Sequence, residues 1–181
     1  MGKMELVKAK TETYKYFSKE LIALYKEAFS TPETFHFNND NELMGYLDSI
    51  FDAGYGIFQV SHDRLAGVLL ATPLSYLENI PGKIESDFDV SQSVYIAEMM
   101  VAKEHQGKGI GKSMMHYFLN TIDTGTYKHI FIRVWVENEK ALSFYKSVGF
   151  ESAASELVRV SEGNDTKELD KIYLYQKVND L

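Results

Sequence analysis

Apolar residues along this chain switch between two spacings, and the switches mark its elements. "MELVKAK" (residues 4–10) predicts a first strand. In "TYKYFSKELIALYKEAF", Tyr14, Phe17, Leu21, Leu24 and Ala28 recur at helical spacing and predict an amphipathic helix. "TPETFHFNND" reads as an irregular lead-in to a second helix, "NELMGYLDSIF". "YGIFQVS" and "RLAGVLLATPL" flank His62 and Asp63, which predicts a tight antiparallel hairpin. The segment from Ser75 to Gln92 reads as a loop holding Glu78, Glu85, Asp87 and Asp89, long enough to suggest a binding role.

"SVYIAEMMVA" is a β-prone run that delivers the chain into "KEHQGKGIGKSM". From Gly109 onward the apolar positions turn helical, at Ile110, Met114, Met115, Phe118, Leu119 and Ile122. "HIFIRVWV" predicts a strand buried on both faces, with Ile130, Ile132, Val134 and Val136 alternating with Phe131 and Trp135. "NEKALSFYKSVGF" predicts a short helix that stops at Gly149, a residue suited to the positive φ of a helix end. "SELVRVS" and "KIYLYQKV" supply the last strands. The resulting order, β-α-α-β-β-β-α-β-α-β-β, is an α/β (α+β) arrangement. A mixed, mostly antiparallel sheet of six to seven strands has flanking helices and a helical crossover between its fourth and fifth strands.

Composition narrows the class of protein. A chain of 181 residues with no internal repeat or linker is expected to form one domain over 1–181. The absence of cysteine removes disulfides, thiolate metal sites and cysteine nucleophiles together. "MGKMELVKAK" has no signal-peptide core, and no apolar run is long enough for a membrane span, so the expected location is the cytoplasm, with no membrane partner. A net charge of −7 argues against nucleic acid, whose binding rests on phosphate neutralisation, and favours cationic partners. Oligomeric state is not encoded in these patterns, and a homodimer stays open.

The glycine loop is the richest motif. A nucleotide-hydrolysing loop needs GxxxxGK[ST]; Gly111-Lys112-Ser113 supplies the tail, but the first glycine would fall on Gln106. A dinucleotide GxGxxG fails as well, because its third glycine would fall on Lys112 or Met114. What remains is Gln106-x-x-Gly109-x-Gly111, leaving a strand and opening a helix. Small residues there let backbone N–H groups approach an anion, and the positive end of the helix favours a diphosphate. Lys103, Lys108 and Lys112 add positive charge to an acidic chain.

This loop and the downstream "VENEKALSFYKSVGF", taken together, resemble the GCN5-related N-acetyltransferase (GNAT) superfamily over roughly Ser93 to Phe150. Gln106 stands where that family more often has Arg. The resemblance implies a GNAT fold in which the fourth and fifth strands splay apart to form a cleft for acetyl-CoA, with no metal. It implies that Met99, Met100 and Val101 pair their backbone with the pantetheine arm. It further implies that Gln106, Gly107, Lys108, Gly109, Ile110, Gly111 and Lys112 hold the pyrophosphate, and that Asn138 and Tyr145 face the pantetheine and the sulfur. The implied activity is N-acetyl transfer to a primary amine, with Tyr145 protonating the departing thiolate. A non-catalytic acyl-CoA sensor and transfer of a longer acyl group are the alternatives.

Glu98 is the candidate base, since an amine is mostly ammonium at neutral pH and must lose a proton before it attacks. It interrupts "VYIAEMMV" on the face of Ile96 and Met100, where a carboxylate is costly unless hydrated or paired. Ordering a water, binding a substrate cation and pairing with Arg133 are other roles for it. His36, His62, His105, His116 and His129 show no metal-ligand spacing. His116 reads as solvated, and His105, just before the loop, as a solvated loop residue, with an approach to the cofactor phosphates as its alternative. The acceptor is expected to be a small-molecule or peptide amine, and the acidic Ser75–Gln92 segment favours a cationic one.

Overall fold

The computed structural model describes residues 4–30, 37–162 and 165–178. The elements are β1 (Met4–Ala9), α1 (Thr11–Ala28), α2 (Asp40–Ala53), β2 (Tyr55–Ser61), β3 (Arg64–Pro73) and α3 (Gly82–Asp87). There follow β4 (Ser93–Val101), α4 (Ile110–Thr121), β5 (His129–Trp135), α5 (Glu139–Ser147), β6 (Glu151–Glu162) and β7 (Asp165–Lys177). The strands are ordered β1-β2-β3-β4-β5-β7-β6. β1–β2, β2–β3, β5–β7 and β6–β7 are antiparallel, and β4–β5 is parallel, as a helical crossover between them requires. The β4–β5 ladder runs from Ser93↔His129 to Ile96↔Ile132, and both strands continue past it, to Val101 and Trp135. This is the mixed, mostly antiparallel sheet that the spacing predicts. His36 and most of the lead-in to the second helix lie outside the described residues. No described helix is long and apolar enough to cross a membrane.

The chain forms two compact units, Met1–Thr72 with Ala97–Ile122, and Pro73–Ile96 with Asp123–Leu181. In the first, α1 buries Tyr14, Phe17, Leu21, Leu24 and Tyr25. Tyr14 stacks on Phe51 of α2 at 4.4 Å between centroids, and Phe17 and Phe51 each meet Phe58 of β2 edge-on at 6.0 Å. Ala28, placed on this stripe by spacing, is exposed, because the helix ends there and turns its last residue outward. α2 starts with reciprocal caps. Asn39 accepts from the Glu42 amide at 3.1 Å, and the Glu42 carboxylate accepts from the Asn38 amide at 2.9 Å. The β2–β3 hairpin closes through His62 and Asp63, both at positive φ (50° and 58°), the twist that a two-residue turn demands. Gly67 of β3 lets α4 come close. A Cβ there would stand 2.8 Å from Ile110 Cγ2 and 2.9 Å from Met114 Cε.

In the second unit, Phe88 packs among His129, Phe131 and Tyr175 at 4.9 to 5.1 Å. The Ser75–Gln92 segment is not the open loop expected. It contains α3, which anchors the segment by burying Ile84 completely. A helix of 6 residues is too short for spacing to reveal. Its Asp89, exposed, accepts from the Ser91 amide and hydroxyl. β5 is buried on both faces only in its first half. Arg133 and Trp135 are half-buried, and Val136 lies beyond the strand, 41% exposed. β6 and β7 run for 12 and 13 residues, well past the segments that alternation marks.

Candidate active site

The glycine loop follows β4 through a short 3-10 turn, Lys103–His105. Two contacts tie it to its own unit. The Gln106 amide Nε2 donates to the Val101 carbonyl at 3.1 Å, and the Lys103 backbone N–H donates to Glu27 at 3.1 Å. Gly107 and Gly109 hold φ of 73° and 80°, and a Cβ at either would meet nothing within 4 Å. Glycine is therefore required here by backbone rotation rather than by crowding, at roughly 1–2 kcal/mol for an ordinary residue. Gly111 lies inside α4 instead.

Gly109, the N-cap of α4, brings no side-chain hydrogen bond, and the first turn of the helix contains no acid. An α-helix leaves its first N–H groups without intrahelical partners, so this end presents amide donors and the positive end of the helix dipole. Gln106, Lys108, Gly109 and Lys112 are exposed around it, while Ile110 is buried as its anchor. The open space over both left-handed glycines leaves room for a diphosphate, so the residues fit the group that the motif implies. Upstream on β4, Met99 and Val101 are half-buried and Met100 is buried.

Glu98 is half-buried on β4. Its Oε1 accepts from Tyr46 of α2 at 2.8 Å and from Tyr25 of α1 at 3.0 Å. Two phenol donors on one oxygen offset the desolvation of the carboxylate and fix its rotamer. Arg133, the other partner considered for Glu98, faces Glu156 at 3.5 Å and lies over the Tyr173 ring at 5.9 Å.

Tyr145 is buried on α5, edge-on to Phe144 at 5.1 Å and Phe150 at 5.6 Å. The end of α5 holds it, for the Phe150 amide returns to the Tyr145 carbonyl at 3.0 Å and Gly149 takes the positive φ expected of it, 98°. Asn138 caps the same helix, its Oδ1 accepting from the Ala141 amide at 3.1 Å. That side-chain oxygen is thus engaged within α5. Among the histidines, His116 is exposed as expected. His105 is not a solvated loop residue: its side chain is 19% exposed and Nε2 stands 3.4 Å from Glu104. Burial, then the Lys177 charge, lower the His129 pKa, against an opposing pull from Asp89. No described group of His, Asp and Glu is arranged to hold a metal.

Tyr25 and Tyr46 are partners of Glu98 that spacing alone does not reveal. Tyr25 follows Leu21 by one helical turn and reads simply as part of the apolar stripe of α1.

Residues 39–152 match the family described as an acetyltransferase (GNAT) domain. N-alpha-acetyltransferase 50 of Danio rerio is 32% identical over 83 residues, 43% of this chain and 49% of that protein. Peptidyl-lysine N-acetyltransferase YiaC of Escherichia coli (strain K12) is 27% identical over 81 residues, 45% and 52% of the two. The chain thus spans about half the length of the curated relatives it matches. In fold it is similar to Salmonella typhimurium yncA, solved with its cofactor acetyl-CoA. The TM-score is 0.66 at 14% identity, over 99% of this chain and 96% of that one. With the uncapped α4 start, the left-handed glycines and a domain match over most of its length, this chain belongs to the GNAT acetyltransferase family.

Proposed function

We propose that this protein moves an acetyl group from acetyl-CoA to a primary amine. The observation that carries the reading is the start of α4, where Gly107 and Gly109 at positive φ open an uncapped helix end flanked by Lys108 and Lys112. These residues, with Gln106, Ile110 and Gly111, would hold the pyrophosphate, and Met99, Met100 and Val101 would offer backbone groups to the pantetheine amides. Asn138 would contact the arm through its amide nitrogen, since its oxygen serves as a helix cap. Bound acetyl-CoA supplies the thioester carbonyl and a thiol leaving group.

Glu98 takes the proton from the incoming ammonium, directly or through one water, and Tyr25 and Tyr46 keep its carboxylate in place. The neutral nitrogen then forms the C–N bond as the C–S bond breaks, and the second proton it sheds leaves to solvent. Tyr145 gives its hydroxyl proton to sulfur and recovers it from solvent. One relative is named an N-alpha-acetyltransferase and another a peptidyl-lysine N-acetyltransferase, so a peptide amine stands beside a small cationic one as acceptor. The test is thiol release from acetyl-CoA in the presence of an amine panel. Release that depends on an amine supports transfer; tight CoA binding without such release assigns the protein as an acyl-CoA sensor.

A further inference from the structure

Glu98 stands among aromatic rings contributed by three stretches of the first unit. Tyr25 and Phe29, one helical turn apart at the end of α1, lie 4.6 Å apart. Phe37, just before α2, stands 5.7 Å from Tyr25 and 5.2 Å from Tyr46. Tyr25 and Tyr46 meet edge-on at 6.3 Å while both hydroxyls reach Glu98 Oε1. Tyr25 is buried, but Phe29, Phe37, Tyr46 and Glu98 itself are only half-buried. The cluster is therefore a partly open surface with a carboxylate at its centre and apolar faces around it.

We propose that this cluster is the acceptor subsite, with Phe29, Phe37 and Tyr46 as specificity-determining residues selecting a primary amine carried on an apolar or aromatic group. This rests on the acetyl-transfer reading above. The carboxylate attracts the ammonium, and ring faces favour a cation beside them. The hydroxyls of Tyr25 and Tyr46 are already donated to Glu98, and among the described residues the carrier next to the nitrogen meets the rings of Phe29, Phe37 and Tyr46. An apolar carrier gains by covering them, whereas a polyhydroxylated amine must give up water without replacement. A polyamine gains at one nitrogen and must desolvate the next.

Calorimetry on the full chain, with and without saturating CoA, tests this with phenethylamine, ethylamine and spermidine as probes. Phenethylamine is expected to bind about tenfold or more tighter than either of the others, a margin set by its added apolar area. Phe37→Ala should remove that margin while CoA affinity stays unchanged. Tyr46→Phe, which keeps the ring and removes one hydroxyl, should retain the margin but weaken all three amines. Tighter binding of spermidine, or an unchanged margin in Phe37→Ala, overturns the assignment. If phenethylamine binds as expected but no thiol is released, the subsite stands and the transfer reading falls. If transfer proceeds without any preference, the reverse holds.

Discussion

Tyr46 on α2 donates a 2.8 Å hydrogen bond to Glu98 on β4, across 52 residues of sequence, to the same oxygen that Tyr25 reaches from α1. One carboxylate oxygen thus joins three elements of the unit. Glu98→Gln should keep the fold and lower turnover by about a hundredfold, the usual contribution of a positioned base. Tyr46→Phe should cost less, about tenfold, expressed on the amine with the KM for acetyl-CoA unchanged. Because the hydroxyl acts through the carboxylate, adding Tyr46→Phe to Glu98→Gln should cost almost nothing more. Additive losses in steady-state kinetics of the two single variants and the double would separate the pair.

Tyr145→Phe removes a proton donor and keeps the ring between Phe144 and Phe150. The variant should hold its melting temperature and most of its CoA affinity, yet lose about a hundredfold in turnover. Full activity would leave Tyr145 a packing residue of α5.

Anion binding at the α4 start depends on backbone first and lysine second. Gly109→Val, which forces a branched residue into φ of 80°, and Gly111→Val should each weaken CoA about tenfold or more, equivalent to about 1.4 kcal/mol. Lys108→Ala and Lys112→Ala, both at exposed positions, should each cost roughly two- to fivefold, with losses that shrink as salt rises. Calorimetry at low and high salt reads both effects. Unchanged affinity in a folded Gly111→Val protein would remove CoA from this loop.

His129 gives the fold a pH dependence of definite sign. Its pKa is lowered in the folded state, by burial first, so the unfolded chain binds its proton more readily. Stability is therefore unaffected well above the ordinary histidine value of about 6.5 and falls as pH drops below it. The melting temperature at pH 5.5 should lie below that at pH 7.5, and His129→Gln should narrow the gap. An unaltered gap in that variant would assign the acid sensitivity to other groups.

Local patterns in the sequence reached far into this structure, and their limit is physical. Helical spacing marks Tyr14, Phe17, Leu21 and Leu24, and alternation with a turn pair marks the hairpin at His62 and Asp63. The glycine loop is legible because its backbone demands are local. Tyr25 and Tyr46 were not legible as partners of Glu98, which they meet from 73 and 52 residues away. Periodicity reports which face a residue occupies and does not show where a tyrosine hydroxyl ends. α3 escaped for a related reason, since one buried Ile84 in six residues sets no period. Val136 misled because alternation continues one residue past the point where β5 stops.

The most direct test of acetyl transfer follows the acetyl carbon itself. Acetyl-CoA labelled with ¹³C in its carbonyl is mixed with the protein and a primary amine, and the label is followed by NMR. The signal is expected to move from thioester to amide at a rate set by the amine, and Glu98→Gln and Tyr145→Phe should each slow it. A label that stays on the thioester, or appears only as acetate whichever amine is present, would contradict acetyl transfer to an amine.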